Sequence, residues 1–516
     1  MLRKARIISQ ILFFSAFIFS FYFLNVNGHV QHSSAQWFLQ INPLVALLTS
    51  TASRTVISVL LPGAIALLIV TALFGRIFCG FACPLGSAID FFDGAVFGKS
   101  RHISRRPPQY LRRLKYVLLS GIAVLAVFGV LSPLFMDPVL MMTRIMALVI
   151  DPFFRIAGKS AADVFTSTQQ ADAGAFPGSV LIIFVLFILF AGGFWDRRFW
   201  CQYLCPSGAF FALISRFPLL RRTIKPDKCN SCGVCATNIC PVRAIQEKDV
   251  SVTSASECIL CGKCSAMKKG CSVISIVKPA VKEVTGPDLK RRNIMAGMIG
   301  GAIALPVIKA GAFDIAEDVE LIRPPGSLPE EGFLTRCIAC GECMKACPNH
   351  ALVPCGFSGG LSRLFTPRLR PRTGYCEPSC NACGYVCPVE AIRPVPANEK
   401  PYTKIGTAIV DTSRCIAWKG ERQCLVCMTQ CPYSAIVEKQ AVPGDDNGPS
   451  GPYIDKDACT GCGKCELFCP VSTVSAIRVQ SYGERRVASG SFITPARKKK
   501  IDNIRKEAAD GQAGGE

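Results

Sequence analysis

Histidine is the scarcest of the chemically versatile residues, with four in 516: His29, His32, His102 and His350. None follows a C-x-x-C pair, which excludes covalent c-type haem attachment. None lies inside an apolar run, so a bis-histidine haem within a membrane segment is excluded as well. Acidic residues are also few, 36 against 58 lysines and arginines, giving a formal charge of +22. Such an excess points first to nucleic acid. Here, though, much of the positive charge borders apolar runs, where it reads as membrane topology, and thiolate-bound metal would add negative charge that a formal count omits. A nucleic-acid partner is therefore set aside. No nucleophile–base pair or paired carboxylates stand out.

What the chain has in abundance is cysteine, 29 residues. The stretch Cys337-x2-Cys340-x2-Cys343-x3-Cys347-Pro348 has the spacing that holds three irons of one [4Fe–4S] cube and sends its fourth cysteine to a neighbouring cluster. It returns at Cys459-x2-Cys462-x2-Cys465-x3-Cys469-Pro470. Looser versions are Cys229/Cys232/Cys235/Cys240, Cys258/Cys261/Cys264/Cys271, Cys376/Cys380/Cys383/Cys387 and Cys415/Cys424/Cys427/Cys431. A disulfide framework would not repeat C-x2-C-x2-C, because loops that short are strained, and structural zinc uses two separated pairs. Six [4Fe–4S] clusters and no haem are the expected cofactors. Cys355 falls outside every quartet and reads as a buried free thiol.

Half of the residues are hydrophobic, and they are unevenly spread. Arg3, Lys4 and Arg6 precede an apolar run from Ile7 to about Leu24, long enough to cross a bilayer at roughly 20 residues per span, with its N-terminus in the cytoplasm. Residues 25–55 read as a polar outside connection. His29 and His32 there read as interfacial residues, with a quinone head group as their functional alternative. Further spans are expected at about Val56–Phe74, Tyr116–Phe135 and Val180–Trp195, with a short interfacial helix near Met141–Ile150.

Two of these spans end in a repeated element: Arg76-x2-Cys79-x3-Cys83-Pro84-x-Gly86 and Arg198-x2-Cys201-x3-Cys205-Pro206-x-Gly208. Cysteines at i and i+4 share a helical face. If the two ends meet, four thiols converge. They would ligate metal, cycle between dithiol and disulfide, or serve as packing cysteines.

In the two-cluster unit that follows, the exchange rule assigns Cys271 to the first cluster and Cys240 to the second. Lys290-Arg291-Arg292 then opens a Gly/Ala-rich apolar run to about Ala312. It reads as a twin-arginine export signal, with Ala310-Gly-Ala312 as a cleavage site, or else as a fifth span. The domains are thus expected at 1–220 (four spans), 221–285 (two clusters, cytoplasmic side), 286–312 (signal or fifth span), 313–485 (four clusters, periplasmic side) and 486–516 (disordered tail). The fold class is multidomain: an α-helical membrane domain of about five spans plus α+β bacterial-type [4Fe–4S] ferredoxin domains.

The membrane part, with Cys79-x3-Cys83-Pro84, Cys201-x3-Cys205-Pro206 and its two-cluster unit, resembles NapH-type membrane ferredoxins, a group that also takes in the membrane parts of NosR and CcoG. The twin-arginine segment, Arg323-Pro-Pro-Gly326 and four quartets resemble NapG/MauM-type periplasmic ferredoxins. The double resemblance implies an inner-membrane, multi-pass electron carrier with quinol dehydrogenase activity. It would draw on the quinone pool within membrane lipid and pass electrons to a periplasmic terminal reductase or carrier. The NosR/CcoG side implies an alternative, assembly or maturation of a copper enzyme; a docking anchor is a third reading. The resemblance also implies that the outer motifs of the four-cluster part exchange ligands, Cys337/Cys340/Cys343 with Cys469 and Cys459/Cys462/Cys465 with Cys347. The inner motifs would do likewise, Cys376/Cys380/Cys383 with Cys431 and Cys415/Cys424/Cys427 with Cys387.

Overall fold

The computed structural model describes residues 2–23, 35–97, 108–153, 177–247, 249–266, 271–276, 291–309, 321–357, 359–440, 450–471 and 474–513. His29, His32, His102 and the Ala310–Ala312 cleavage site lie outside them. The chain folds as two compact units, one holding most residues up to 146 and 180–312, the other mainly 313–516.

The first unit opens with α1 (Leu2–Phe23). Its stretch Leu2–Phe21 is, among the described residues, the one helix long and apolar enough to cross a membrane. Within 25–55, residues 35–53 do not form the polar connection expected of them. The described part folds into α2 (Ala35–Gln40) and α3 (Pro43–Ser53). Asn42 caps α3 by accepting from the N–H groups of Leu44 and Val45, Pro43 starts its first turn, and Leu44, Val45 and Leu48 are buried. The cap signal was in the sequence, but the flanking polar residues masked it.

α4 (Leu61–Phe74), α5 (Ile77–Phe81) and α6 (Pro84–Phe97) follow. α7 (Leu114–Val127) is shorter than the expected third span. It stops at Gly129, which takes φ +80°, and at a tight turn over Ser132–Met136. Asp137 then caps α8 (Pro138–Ile145) with Pro138 at its start, so two prolines and a left-handed glycine divide the apolar run. α9 (Pro177–Ala191), α10 (Phe199–Tyr203) and α11 (Pro206–Ile214) complete the second helical repeat. β1 (Leu220–Ile224) pairs antiparallel with β2 (Ser272–Ile276), Leu220 opposite Ile276, closing the two-cluster module.

α12 (Arg291–Lys309) lies along α7. The approach is close enough that only glycine fits. A Cβ at Gly297 would stand 2.0 Å from Ser120 Oγ and 2.3 Å from the Val117 carbonyl, and one at Gly301 would stand 2.7 Å from the Gly121 carbonyl. Because 117 meets 297 and 121 meets 301, the two helices run parallel.

The second unit is built on three antiparallel strand pairs: β3 (Leu352–Pro354) with β4 (Pro367–Leu369), β5 (Thr407–Val410) with β8 (Ile477–Gln480), and β6 (Ile436–Gln440) with β7 (Ser450–Ile454). The tail expected to be disordered contains helix Pro495–Ala513. Phe492 and Ile501 are buried. Arg497 donates to the carbonyls of Tyr402 (3.0 Å), Cys459 (3.1 Å) and Asp457, and Tyr402 Oη donates to Asp502 (2.6 Å). Two apolar anchors in an otherwise basic stretch, too few to register as a periodic pattern, fix it in place.

Candidate iron–sulfur centres

The cysteine loops share an unusual backbone. The second spacer residue of four C-x2-C pairs is left-handed: Ser231 (φ 51°), Leu260 (51°), Ala339 (52°) and Gly461 (78°). Three residues beyond four of the fourth cysteines the same holds, at Arg243 (48°), His350 (50°), Glu390 (53°) and Ser434 (48°). A non-glycine residue there costs roughly 1–2 kcal/mol. Its recurrence at matching positions means that the loops are shaped for a ligand. Main-chain N–H groups point at the sulfurs: Ala244 to Cys240 (3.3 Å), Ala435 to Cys431 (3.4 Å) and Ala408 to Cys459 (3.4 Å).

Four triplets each line a hollow with one distant cysteine. Cys258, Cys261 and Cys264 line one with Cys240. In the second unit, Cys337, Cys340 and Cys343 line one with Cys387. Cys415, Cys424 and Cys427 line another with Cys469, and Cys459, Cys462 and Cys465 a third with Cys431. Cys347 lies within electrostatic reach of Cys376 and Cys380.

The remaining triplet departs from the expectation. Cys235 groups with Cys229 and Cys271, but Cys232, expected in the triplet with Cys229 and Cys235, is the one exposed cysteine of the 29. The cause is local. Cys232 sits between Ser231 and Gly233, both left-handed (φ 51° and 71°), and a Cβ at Gly233 would meet nothing within 4 Å. Among the described residues no element covers this turn, so the 229–235 loop is open where its counterparts are enclosed. The structure thus gathers three of these four cysteines and leaves Cys232 facing solvent.

The outer-with-outer pairing is likewise corrected, to pairing of neighbours, first motif with second and third with fourth. The short helices that carry the third cysteine of each triplet pack in the same pairs, Glu342–Lys345 against Ala382–Tyr385 and Val426–Thr429 against Lys464–Leu467. Each half thus closes its ligand sets over a shorter stretch of chain, which costs less loop entropy. The halves meet where the Cys376 N–H donates to the Cys462 carbonyl at 2.8 Å.

Burial pushes these thiols up: Cys264 and Cys347 to about 11, Cys337, Cys427 and Cys462 to about 12. Left alone they stay protonated at neutral pH. Cations in the hollows would displace the protons. Among the described residues, no three His, Cys, Asp or Glu side chains converge on a point where a single ion would sit. Four thiols around an open hollow fit a multi-iron cluster better than zinc.

The two C-x3-C-P motifs also come together. Cys83 Sγ accepts from the Gly86 N–H (3.4 Å) and Cys205 Sγ from the Gly208 N–H (3.1 Å). Cys79 and Cys201 are within electrostatic reach of each other, and each is within reach of both Cys83 and Cys205. The preceding arginines cross over. Arg198 donates to the carbonyls of Cys79 (2.9 Å) and Gly86 (3.2 Å) in the other motif and to Asp90 (2.7 Å). A Cβ at Gly208 would meet Arg76 Nη2 at 2.8 Å. Cys79 packs against Val242, Ala244, Ile259 and Cys261, at the edge of a cluster hollow. Cys355 is buried outside every hollow, with Arg323 Nη1 3.9 Å from its sulfur.

Sequence reasoning missed Glu257, whose carboxylate accepts from Arg76 (2.8 Å), Lys115 (2.6 Å) and Tyr116 (2.8 Å). It also missed Lys400, which touches Cys376. The shared arginine position was the one visible hint of the crossing.

A family model described as a 4Fe-4S binding domain matches residues 58–104 and 176–226, around the C-x3-C-P motifs, and another of the same description matches 333–353 and 452–475. The methylamine utilization ferredoxin-type protein MauM of Paracoccus denitrificans is 34% identical over 203 residues, 37% of this chain and 86% of that protein. The chain belongs to the NapG/MauM family of ferredoxin-type proteins. The ferredoxin-type protein NapG of Escherichia coli is 36% identical over 158 residues, 29% of this chain, and the chain spans 65% of that relative's length. NapF of the same organism is 32% identical over 157 residues, 30% of this chain and 84% of NapF. This NapG/MauM-family chain is accordingly a ferredoxin-type iron–sulfur protein of electron transfer.

Proposed function

We propose that the chain joins a NapH-like membrane module to a NapG/MauM-like four-cluster domain and carries electrons from quinol, through six [4Fe–4S] clusters, to a periplasmic redox enzyme. The observation that carries this reading is the gathering of near cysteines with one distant cysteine at each centre. At the centre of Cys229, Cys235 and Cys271, the exposed Cys232 would have to turn inward as the cluster is inserted. The protein's part is to position the clusters and set their potentials; the iron–sulfur chemistry is the cluster's own.

Several features support a membrane-embedded first unit. Ile8, Ile11, Leu12 and Phe19 on α1, Ile65 and Ile69 on α4, Phe184 and Phe187 on α9, and Ile299 and Ile303 on α12 are all exposed. Stripes of this kind mark surfaces that another phase covers. The glycine-lined contact of α12 with α7 resembles small-residue packing between membrane helices and favours a retained fifth span over a removed signal. Both helices begin at basic residues, so both would start on the cytoplasmic side.

The test is to purify the whole chain anaerobically in detergent, count iron and sulfide, oxidise it and add a menaquinol analogue while following electron paramagnetic resonance. Cluster reduction is the expected result. A full complement of clusters that dithionite reduces and quinol does not would overturn quinol entry. A second reading, redox maturation of a copper enzyme, draws on the contact between Cys79 and the cluster hollow at Cys261. It predicts that Cys79→Ser keeps quinol oxidation and abolishes maturation of the copper partner.

A further inference from the structure

Lys400 is buried. Its ammonium donates to Cys376 Sγ at 3.2 Å, to the Glu377 carbonyl at 3.2 Å and to the Cys380 carbonyl at 2.7 Å. All three protons are therefore used, and every acceptor belongs to one cysteine loop. None is a carboxylate. A buried cation requires a negative partner, and the anion within reach is the thiolate set of Cys376, Cys380, Cys383 and Cys347.

The side chain is held in place. Lys400 opens a tight turn with Pro401 and Tyr402, its N–H donates to the Pro396 carbonyl (3.0 Å), and Thr403 Oγ1 closes on its carbonyl (2.8 Å).

The neighbouring centres carry different charges. Beside Cys340 lies the Glu342 side chain, fully buried, with no hydrogen-bond partner for either oxygen among the described residues and with the buried Lys345 within electrostatic reach. Arg323 pairs with Glu330 (2.6 Å). Arg497 faces the Cys459 loop through main-chain carbonyls rather than sulfur. A cation donating directly to a ligand sulfur favours the more negative, reduced cluster and so raises its potential. This loop also reaches the other half, since Cys376 bonds to Cys462.

We propose that Lys400 makes the cluster of Cys347, Cys376, Cys380 and Cys383 the highest-potential centre of the second unit, where electrons cross between its two halves. One electron moves from a reduced neighbouring cluster to this oxidised one. No bond forms or breaks, and Lys400 keeps its protons throughout. The inference rests on the cluster reading of the quartets.

The experiment is a redox titration of the anaerobically purified whole chain, followed by electron paramagnetic resonance, with iron counted in every sample. Wild type is compared with Lys400→Gln, which keeps polarity and loses charge. At a fixed potential, one signal should lose at least tenfold in its reduced-to-oxidised ratio, about 59 mV for one electron, while the others stay put. Full iron with all midpoints unmoved would overturn the role of Lys400. A wild type short of iron would instead strike at the cluster reading itself. Cys383→Ala gives a check that does not depend on the lysine variant: among the second unit's signals, told from those of the first unit by their persistence in Cys235→Ala and Cys264→Ala, the first to appear on reduction of wild type should be the one it lacks. Loss of a later second-unit signal would overturn the assignment.

Discussion

The two-cluster module of the first unit and the two halves of the second share one loop design but are seated in opposite ways. Ser231 and Leu260 take the same left-handed conformation as Ala339 and Gly461, and, Cys232 apart, each triplet gathers with one cysteine of its neighbour. Around that common plan, the first module is clamped by charges. Glu257 pairs with Arg76 and Lys115, Arg112 donates to the carbonyls of Val242 (2.6 Å) and Arg243 (3.1 Å), and Gly80 sits so close that a Cβ would be 2.3 Å from the Ile259 carbonyl. The halves of the second unit are instead joined by main-chain bonds, by Arg372 donating to the Val471 carbonyl (2.7 Å), and by a C-terminal helix. Backbone shape makes the site, and the surroundings decide what it is attached to.

The largest effect should come from the ligands that define the common plan. Cys387→Ala should remove the same paramagnetic signal as Cys343→Ala, and Cys469→Ala the same one as Cys427→Ala, each with about a sixth of the bound iron under the six-cluster reading. If Cys469→Ala and Cys343→Ala proved to share a signal, the outer pairing would be restored and the second unit would lose its likeness to two consecutive ferredoxins.

The next effect separates the two modes of seating. Glu257→Ala leaves Arg76 and Lys115 buried beside each other without a counter-charge, which typically costs about 3–5 kcal/mol. Limited proteolysis should then cut within 220–276 well before the second unit. Equal resistance in wild type and variant would show that the charged clamp contributes little.

Much of this was legible in the sequence because thiolate spacing is a local property. Three cysteines in seven residues announce a cluster wherever they occur, and in the 229–271 module only one exchange partner exists. Spacing does not report what covers a loop, however, so the exposure of Cys232 was invisible beside the enclosure of Cys261 and Cys340 at the matching positions. With four motifs, spacing no longer says which loops face each other; that depends on the short helices that carry each triplet's third cysteine, four residues each and invisible to periodicity. Lys400 was hidden for a similar reason. It stands 24 residues from Cys376, in a turn with no motif of its own. The crossing of Arg76 and Arg198 was half visible, as a shared position whose purpose needed three dimensions.

A smaller effect tests the glycine contact in the first unit. Gly297→Leu should break the pairing of α12 with α7, because backbone lies within 2.3 Å of its Cβ, whereas Gly300→Leu should be tolerated, with nothing within 4 Å. Cysteine cross-linking between the helices, with Gly300→Leu as the reference, reads the difference. Equal yields would remove the packing argument for a retained fifth span.

The smallest effect is a pH dependence on the side of the comparison that has few charged clamps. Glu330 accepts from Arg323 (2.6 Å) and Arg486 (2.6 Å), and these cations hold its carboxyl down at about 2, against 4.5 for a free glutamate. The depressed value means that the folded state prefers the charged form. The stabilisation is complete above pH 4.5 and is lost as the pH falls toward 2. Because the side chain is 26% exposed, solvent screening limits the gain to on the order of 1–2 kcal/mol. Glu330→Gln should lower the denaturation midpoint of the holoprotein at about pH 7, and the gap to wild type should narrow as the pH drops below 4.5. A gap that held constant down to the lowest pH at which the clusters survive would mean that shape, rather than charge, is what Glu330 contributes. The second unit would then be held without charged clamps in any functional sense, and its contrast with the first would be complete.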